Sequence, residues 1–248
     1  MSAPHPKPVH TLSWSSHAIS NVGKVRKHNE DSMLERSEIG LWVVADGMGG
    51  HAKGDMASQM IVESLKKIHE GTNLPRFIDD IEDRVIKVNK KLVEKARESA
   101  KKVTIGSTVV ILLTYDKYCV YIWAGDSRLY RLRNKKLQQI TTDHSQVEQY
   151  VEQGLISREE ALGHPHGNMI TRAVGATEEL FLDMDIQEMA RGDRYMLCSD
   201  GLTKHISDAE IQEFLGNGNA EECCTTLINT VLSRGATDNV TTIVVDIE

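Results

Sequence analysis

Four aspartates in this 248-residue chain mark the ends of strongly apolar runs: Asp46 follows "LWVVA", Asp126 follows "YIWAG", Asp200 follows "YMLCS", and Asp238 stands just before "VTTIVV". An ionised carboxylate beside a core is costly unless something pairs with it, and several at one sheet end repel one another without a cation. Oxygen ligands without clustered His or Cys suit a hard, octahedral ion, so Mg²⁺ or Mn²⁺ is expected rather than zinc. The glycines after Asp46, in "DGMGGHAKGD", fit either a plain turn or a close backbone approach. A lone Asp-Gly pair favours the turn, but four such carboxylates favour a metal site.

The elements that must carry these residues come in blocks. Two short strands are expected near residues 12–20 and 40–45, then a helix over 54–69 with Met56, Met60, Ile61, Leu65 and Ile68 on one face. A longer helix fits 74–101, where Phe77, Ile81, Val85, Val88, Leu92 and Ala96 recur at three and four, and "KKLVEKARESAKK" reads as its solvated face. From Gly106 the pattern turns to β: "GSTVVILLTY", "KYCVYIWAGD" and "SRLYRLRN" are separated only by tight turns, which implies three antiparallel neighbours. Strands are also expected at "RYMLCSD" and "VTTIVVDI", with a helix near 219–234. Helices grouped against antiparallel sheets make an α+β layered fold.

Composition excludes several classes of partner. A net charge of −7 offers no basic field for nucleic acid, and no run approaches the roughly 18 apolar residues of a membrane span. Cys119, Cys198, Cys223 and Cys224 show no CxxC spacing, and packed, reduced thiols are expected. With no secretory h-region in "MSAPHPKPVHTLSW", the expected location is cytoplasmic. Residues 1–11 read as a flexible tail, and 12–248 as a single domain without linker or repeat.

Eight segments, in order, carry a resemblance: "GKVRKHNEDS", "VVADGMGGHAKGDMAS", "GSTVV", "WAGDSRLYRLR", "TTDHS", "ITRAVG", "LCSDGLTKHIS" and "TDNVTTIVV". The chain resembles the metal-dependent protein Ser/Thr phosphatases of the PP2C family, particularly the compact bacterial members. The resemblance implies a four-layer αββα sandwich, and hydrolysis of phosphoserine and phosphothreonine by direct attack of a water bridging two Mn²⁺ or Mg²⁺ ions. Asp46 would bridge the pair, the Gly47 carbonyl would bind the second ion, and Asp200 and Asp238 would complete the first. Glu30 and Asp31 would hold waters of the second ion, Arg26 would grip the substrate phosphate, and Asp126 with Asp200 would hold the third ion of bacterial relatives. Residues 144–170 correspond to the family's flap. The implied partners are phosphorylated proteins, substrates of a bacterial Ser/Thr kinase, met by a monomeric enzyme.

One departure concerns the proton donor. Eukaryotic relatives carry a His two residues after the bridging Asp, where this chain has Met48, and a thioether has no proton to give. His51 is a weak substitute. His28 and the "HPH" of His164 to His166 read more readily as solvated loop than as chemistry, since the proline leaves the two histidines no regular face to share. A catalytically dead phosphoprotein binder and a cation-storage protein are the competing classes; retention of all four aspartates argues against the first, and Arg26 with a flap against the second.

Overall fold

The computed structural model describes residues 12–49, 53–71, 73–99, 104–161, 163–167 and 169–248. The 1–11 tail and His51 therefore lie outside the described residues. One sheet has the order β1 (Trp14–Asn21), β11 (Val240–Ile247), β10 (Arg194–Cys198), β7 (Arg128–Arg133), β8 (Lys136–Gln139). The other runs β2 (Asp31–Arg36), β3 (Leu41–Met48), β5 (Val109–Tyr115), β6 (Tyr118–Ala124), β9 (Asp183–Glu188), with the short β4 (Gly106–Ser107) paired to the end of β3. Neighbouring strands in both sheets pair antiparallel.

Strand alternation builds the layers. Trp42 and Val44 of β3, Val110 and Leu112 of β5, and Ile243 and Val245 of β11 point between the sheets. Their neighbours Val43, Ala45, Ile111 and Leu113 face outward onto Ile61 and Leu65 of α1 (Lys53–Leu65) and Phe77 and Ile81 of α2 (Leu74–Glu98). On the opposite side Met196, Cys198 and Val244 pack against Ile211 of α6 (Asp208–Leu215) and Leu227 and Val231 of α7 (Ala220–Ser233). The result is the expected αββα sandwich. All four cysteines are free and buried, and among the described residues no helix is long and apolar enough to cross a membrane.

Three expectations change. The first helix stops at Leu65, although Ile68 is still fully buried. "GSTVVILLTY" is divided at Thr108, which lies between β4 and β5. The largest correction is at "WAGDSR". β5 and β6 are antiparallel neighbours, but β7 pairs with β10 and β8 in the other sheet. The tight link is a crossing between sheets, not a hairpin. Gly125 makes it at φ +117°, a backbone region that side chains rarely adopt, with its α-carbon packed against Thr108. That crossing places Asp126 where the two sheets meet.

Candidate active site

Asp46 lies near the end of β3, two residues before Met48, under close backbone control. Its N–H donates to Thr108 Oγ1 (3.0 Å), and its carbonyl accepts from Thr108 N–H (2.8 Å) and Ser107 Oγ (2.9 Å). Thr108 Oγ1 also shares a 2.7 Å hydrogen bond with Ser127 Oγ, which ties the Asp46 strand to the loop of Asp126. Gly47 follows with its α-carbon against the Gly54 and Glu30 carbonyls, so closely that any side chain would collide with backbone. The glycine thus serves close approach, not a hairpin turn. It brings the start of α1 and Glu30 onto the end of β3.

A cavity of about 330 Å³ opens at this sheet end, walled by Arg26, Glu30, Asp46, Gly47, Asp200 and Asp238, with Met48 and Ile170 at its border. Arg26 is half exposed and lies on Asp238 in a two-point ion pair, Nε–Oδ1 2.8 Å and Nη2–Oδ2 3.0 Å. Glu30 is fixed through its backbone: its N–H donates to Asn239 Oδ1 (2.8 Å), and its carbonyl accepts from Ser58 Oγ (2.6 Å) and Gly47 N–H (3.1 Å). Asp31, register partner of Asp46, is turned away from that wall. Its Oδ2 accepts from Ser199 Oγ and Thr241 Oγ1, both at 2.7 Å, and so joins the sheets.

Electrostatically the site is an acid cluster held in a dry place. Burial first, then the carboxylates of Asp31, Asp200, Asp126 and Asp238, hold Asp46 well above the usual carboxylate range. Burial likewise raises Asp31 to about 7 against the two hydroxyls, and raises Asp126 to about 7 with Asp200 adding to it. Asp238 goes the other way: burial pushes it up, but Lys204 and Arg26 outweigh that and bring it below its ordinary value.

Asp200 also borders a second cavity, of about 490 Å³, with Asp126, Arg128, Asp143, Lys204 and His164. His164 belongs to the flap, where α3 (Gln146–Glu152) and α4 (Arg158–Ala161) are joined by a two-point Arg158–Glu148 pair at 2.7 and 3.1 Å. Among the described residues of this segment few apolar side chains are buried; Val147 is the buried one in α3, while Leu155 and Met169 are exposed.

The match to the protein phosphatase 2C family model spans residues 24–241, and every site residue described so far lies inside it. The chain belongs to the protein phosphatase 2C family. It is therefore a phosphatase, an enzyme of the hydrolase class. It is 34% identical over 232 residues to the serine/threonine phosphatase Stp of Listeria innocua, covering 90% of this chain and 92% of the relative. Among solved structures it is similar to PppA, described as a key regulatory component of the T6SS in Pseudomonas aeruginosa, with TM-score 0.88 and 39% identity over 95% of this chain and 98% of that one. It is also similar in fold to the catalytic domain of the serine/threonine protein phosphatase PstP in complex with two manganese ions, with TM-score 0.85 and 34% identity over 96% of this chain and 99% of that one. Two divalent cations of the Mn²⁺/Mg²⁺ class belong to the chemistry of this family.

The donor set of this phosphatase fits such cations. Its candidate ligands are all oxygens, and Asp126 Oδ1 is buried with no hydrogen-bond partner. Among the described residues no three His, Cys, Asp or Glu side chains already encircle a point as they would a bound ion. Asp238 is turned onto Arg26 and Lys204, and Asp200 onto Lys204. Sequence reasoning missed Lys204, although its i,i+4 spacing from Asp200 was a usable signal. It also missed Asn239, whose amide gathers the Val22 and His28 carbonyls (2.8 and 3.0 Å) while its Oδ1 takes Glu30 N–H. The "HPH" expectation needs amending in one respect: His166 is exposed, but His164 is on the wall of the Asp126 cavity, its Nδ1 accepting from His166 N–H at 3.1 Å. His28 is exposed, as expected.

Proposed function

We propose that this enzyme removes phosphate from phosphoserine and phosphothreonine in proteins, with Mn²⁺ or Mg²⁺ as cofactor, and that it opposes a bacterial Ser/Thr kinase in the cytoplasm. The observation that carries this reading is the gathering of Arg26, Asp46, Gly47, Asp200 and Asp238 around one cavity at the sheet ends. Similarity to enzymes named serine/threonine phosphatases supports the substrate class.

Asp46 would hold both cations of the pair, the Gly47 carbonyl one of them, and Asp200 and Asp238 the other; Asp126 with Asp200 would hold a third. When bound, these ions neutralise phosphoryl oxygens and acidify water for in-line attack. The chain's own residues do the rest. Thr108 and Ser107 hold the Asp46 backbone still, and Glu30, fixed through Asn239, would order water around the site, whereas Asp31, turned onto Ser199 and Thr241, would support the site from behind by joining the sheets. Arg26 swings its guanidinium from Asp238 to the substrate phosphate, where two parallel N–H donors match two oxygens. Met48, which lines the cavity, has no proton for the leaving alkoxide, so water or, as a weaker candidate, His51 would supply it. A competing role as a dead phosphoprotein binder is disfavoured by the complete acid set.

The decisive experiment is hydrolysis of p-nitrophenyl phosphate and a phosphothreonine peptide with added Mn²⁺, before and after exhaustive EDTA treatment. Carboxylate and water ligands release such ions to a chelator, so activity should vanish with EDTA and return with metal. Activity that survives chelation would overturn the reading.

A further inference from the structure

The acid cluster already contains a cation of its own. Lys204 caps the short helix α5 (Asp200–Thr203), its backbone N–H closing on the Asp200 carbonyl at 2.9 Å, so its stem runs back along the helix toward Asp200. Its Nζ sits 2.6 Å from Asp200 Oδ2 and 3.1 Å from Asp238 Oδ2. These are the two carboxylates that, on the reading above, belong to the first metal. The side chain is mostly covered, 29% exposed, so the pairing is less screened than a surface ion pair. Arg26 takes the other oxygen of Asp238, Oδ1, through Nε and shares Oδ2 through Nη2.

We propose that Lys204 is a built-in counter-ion: its ammonium holds Asp200 and Asp238 together until a divalent ion takes those oxygens, and metal uptake expels it. Two facts on different residues support this. Five aspartates act on one another at this sheet end, and a nearby cation offsets that repulsion for the two, Asp200 and Asp238, that Lys204 touches. Moreover, Asp200 Oδ2 and both oxygens of Asp238, on the proposed reading ligands of the first metal, face Lys204 and Arg26. An ammonium and a divalent ion compete for those oxygens, because the two cations repel at contact distance. Lys204 already lines the neighbouring 490 Å³ cavity, which leaves its Nζ room to turn away from Asp238. The four-carbon stem, with its compact charge, suits that swing better than a planar guanidinium would.

The inference rests on the placement of the metals at Asp46, Asp200 and Asp238, and its test separates the two. Lysines of the wild-type protein are acetylated briefly with an N-hydroxysuccinimide ester at pH 8, in EDTA or in saturating Mg²⁺, and the rate at Lys204 is read by peptide mass spectrometry. Lys87, an exposed i,i+4 partner of Asp83 on α2, is the internal control. Titration calorimetry on the same protein establishes metal binding. Lys204 should label about fivefold faster or more with Mg²⁺, while Lys87 does not change. In parallel, Lys204→Gln should melt lower in EDTA yet bind Mn²⁺ about fivefold more tightly or better, since the competitor is gone. If calorimetry shows metal bound and the Lys204 rate stays flat, the counter-ion role is overturned and the metal site stands. If wild-type protein binds no metal, the site reading falls and the inference with it. The labelling arm uses wild-type protein, so it decides the question even if the variant does not fold without metal.

Discussion

The two cavities that meet at Asp200 are built by different means. The one holding Asp46 and Asp238 is walled by strand ends and the first turns behind them, with the Asp46 and Glu30 backbones pinned at hydrogen-bonding distance by Thr108 and Asn239. Its neighbour has one rigid wall, Asp126 and Asp200, and one wall taken from the flap, where Ala161, Gly163, His164 and Gly167 contribute and few apolar anchors hold them. The difference teaches where this fold spends its rigidity. On the proposed reading, groups that would meet two ions at fixed spacing sit where sheets cross, and groups that would admit and release a protein substrate sit on a lightly anchored segment.

The sharpest way to break that comparison is Asp46→Asn. If the strand-built cavity seats both ions, turnover should fall on the order of a thousandfold, the several kcal/mol expected of a paired-metal site. Melting in EDTA should move the opposite way, upward, because the substitution removes a carboxylate buried among four others. Turnover within about threefold of wild type would remove Asp46 from the bridge.

Asp126→Ala tests the rigid wall of the other cavity. Calorimetry should still find two Mn²⁺, while phosphopeptide turnover drops roughly tenfold or more, since the third ion bears on the proton that Met48 cannot supply. A destabilised but fully active protein would make Asp126 a mere cap on the sheet crossing, worth about 0.5–2 kcal/mol like other lost caps.

Arg26→Ala should act more mildly, raising KM severalfold and weakening inhibition by inorganic phosphate about as much, because a bidentate phosphate contact is lost. Since Arg26 pairs with Asp238 and not with Glu30, a secondary effect on Mn²⁺ affinity is also expected, in the tightening direction. Unaltered phosphate inhibition would leave Arg26 as only a partner for Asp238.

These expectations were unequally legible in the sequence. Asp46, Asp200 and Asp238 could be read because an apolar run that ends on a carboxylate is a local pattern. The helices over 74–98 and 220–233 were equally local, carried by period and, at Asn73 and Asn219, by side chains that accept the first free N–H groups. The crossing at Gly125 was not legible, since a three-residue link between two strands reads as a hairpin whichever sheet receives the second strand. β9, "DMDIQE", went unread because it is an edge strand with Met184 and Ile186 exposed and charges between them, so neither face shows a buried stripe. Lys204 shows the same limit: its i,i+4 partner Asp200 is visible in the chain, but Asp238 comes from 34 residues away.

The smallest expected effect concerns the joint between the two cavities. His144 opens the flap, and its backbone N–H and carbonyl bond to Gly125 O (2.9 Å) and Thr171 N–H (2.8 Å). Its ring stacks on Trp123, and its Nδ1 accepts Gly125 N–H at 3.1 Å, which leaves the proton on Nε2 to meet Asp183 Oδ2 at 3.1 Å. Asp183 is in turn paired with Arg172. Burial lowers the His144 pKa from its ordinary 6.5, with Asp183 opposing and Arg172 assisting. A histidine whose folded value is depressed contributes stability that is present above 6.5 and lost as pH falls through the folded value, because the unfolded chain takes up the proton first. Protonation of Nδ1 also removes the acceptor for Gly125 N–H, a hydrogen bond worth about 0.5–1.5 kcal/mol. His144→Phe keeps the stack and abolishes the titration. Melting curves of both proteins between pH 8 and 5, at fixed Mg²⁺, should therefore converge as pH falls, the wild type losing its advantage below about 6.5. A constant gap across that range would mean that His144 holds the Asp126 loop by packing alone, and the joint between the rigid and flap-built cavities would be insensitive to pH.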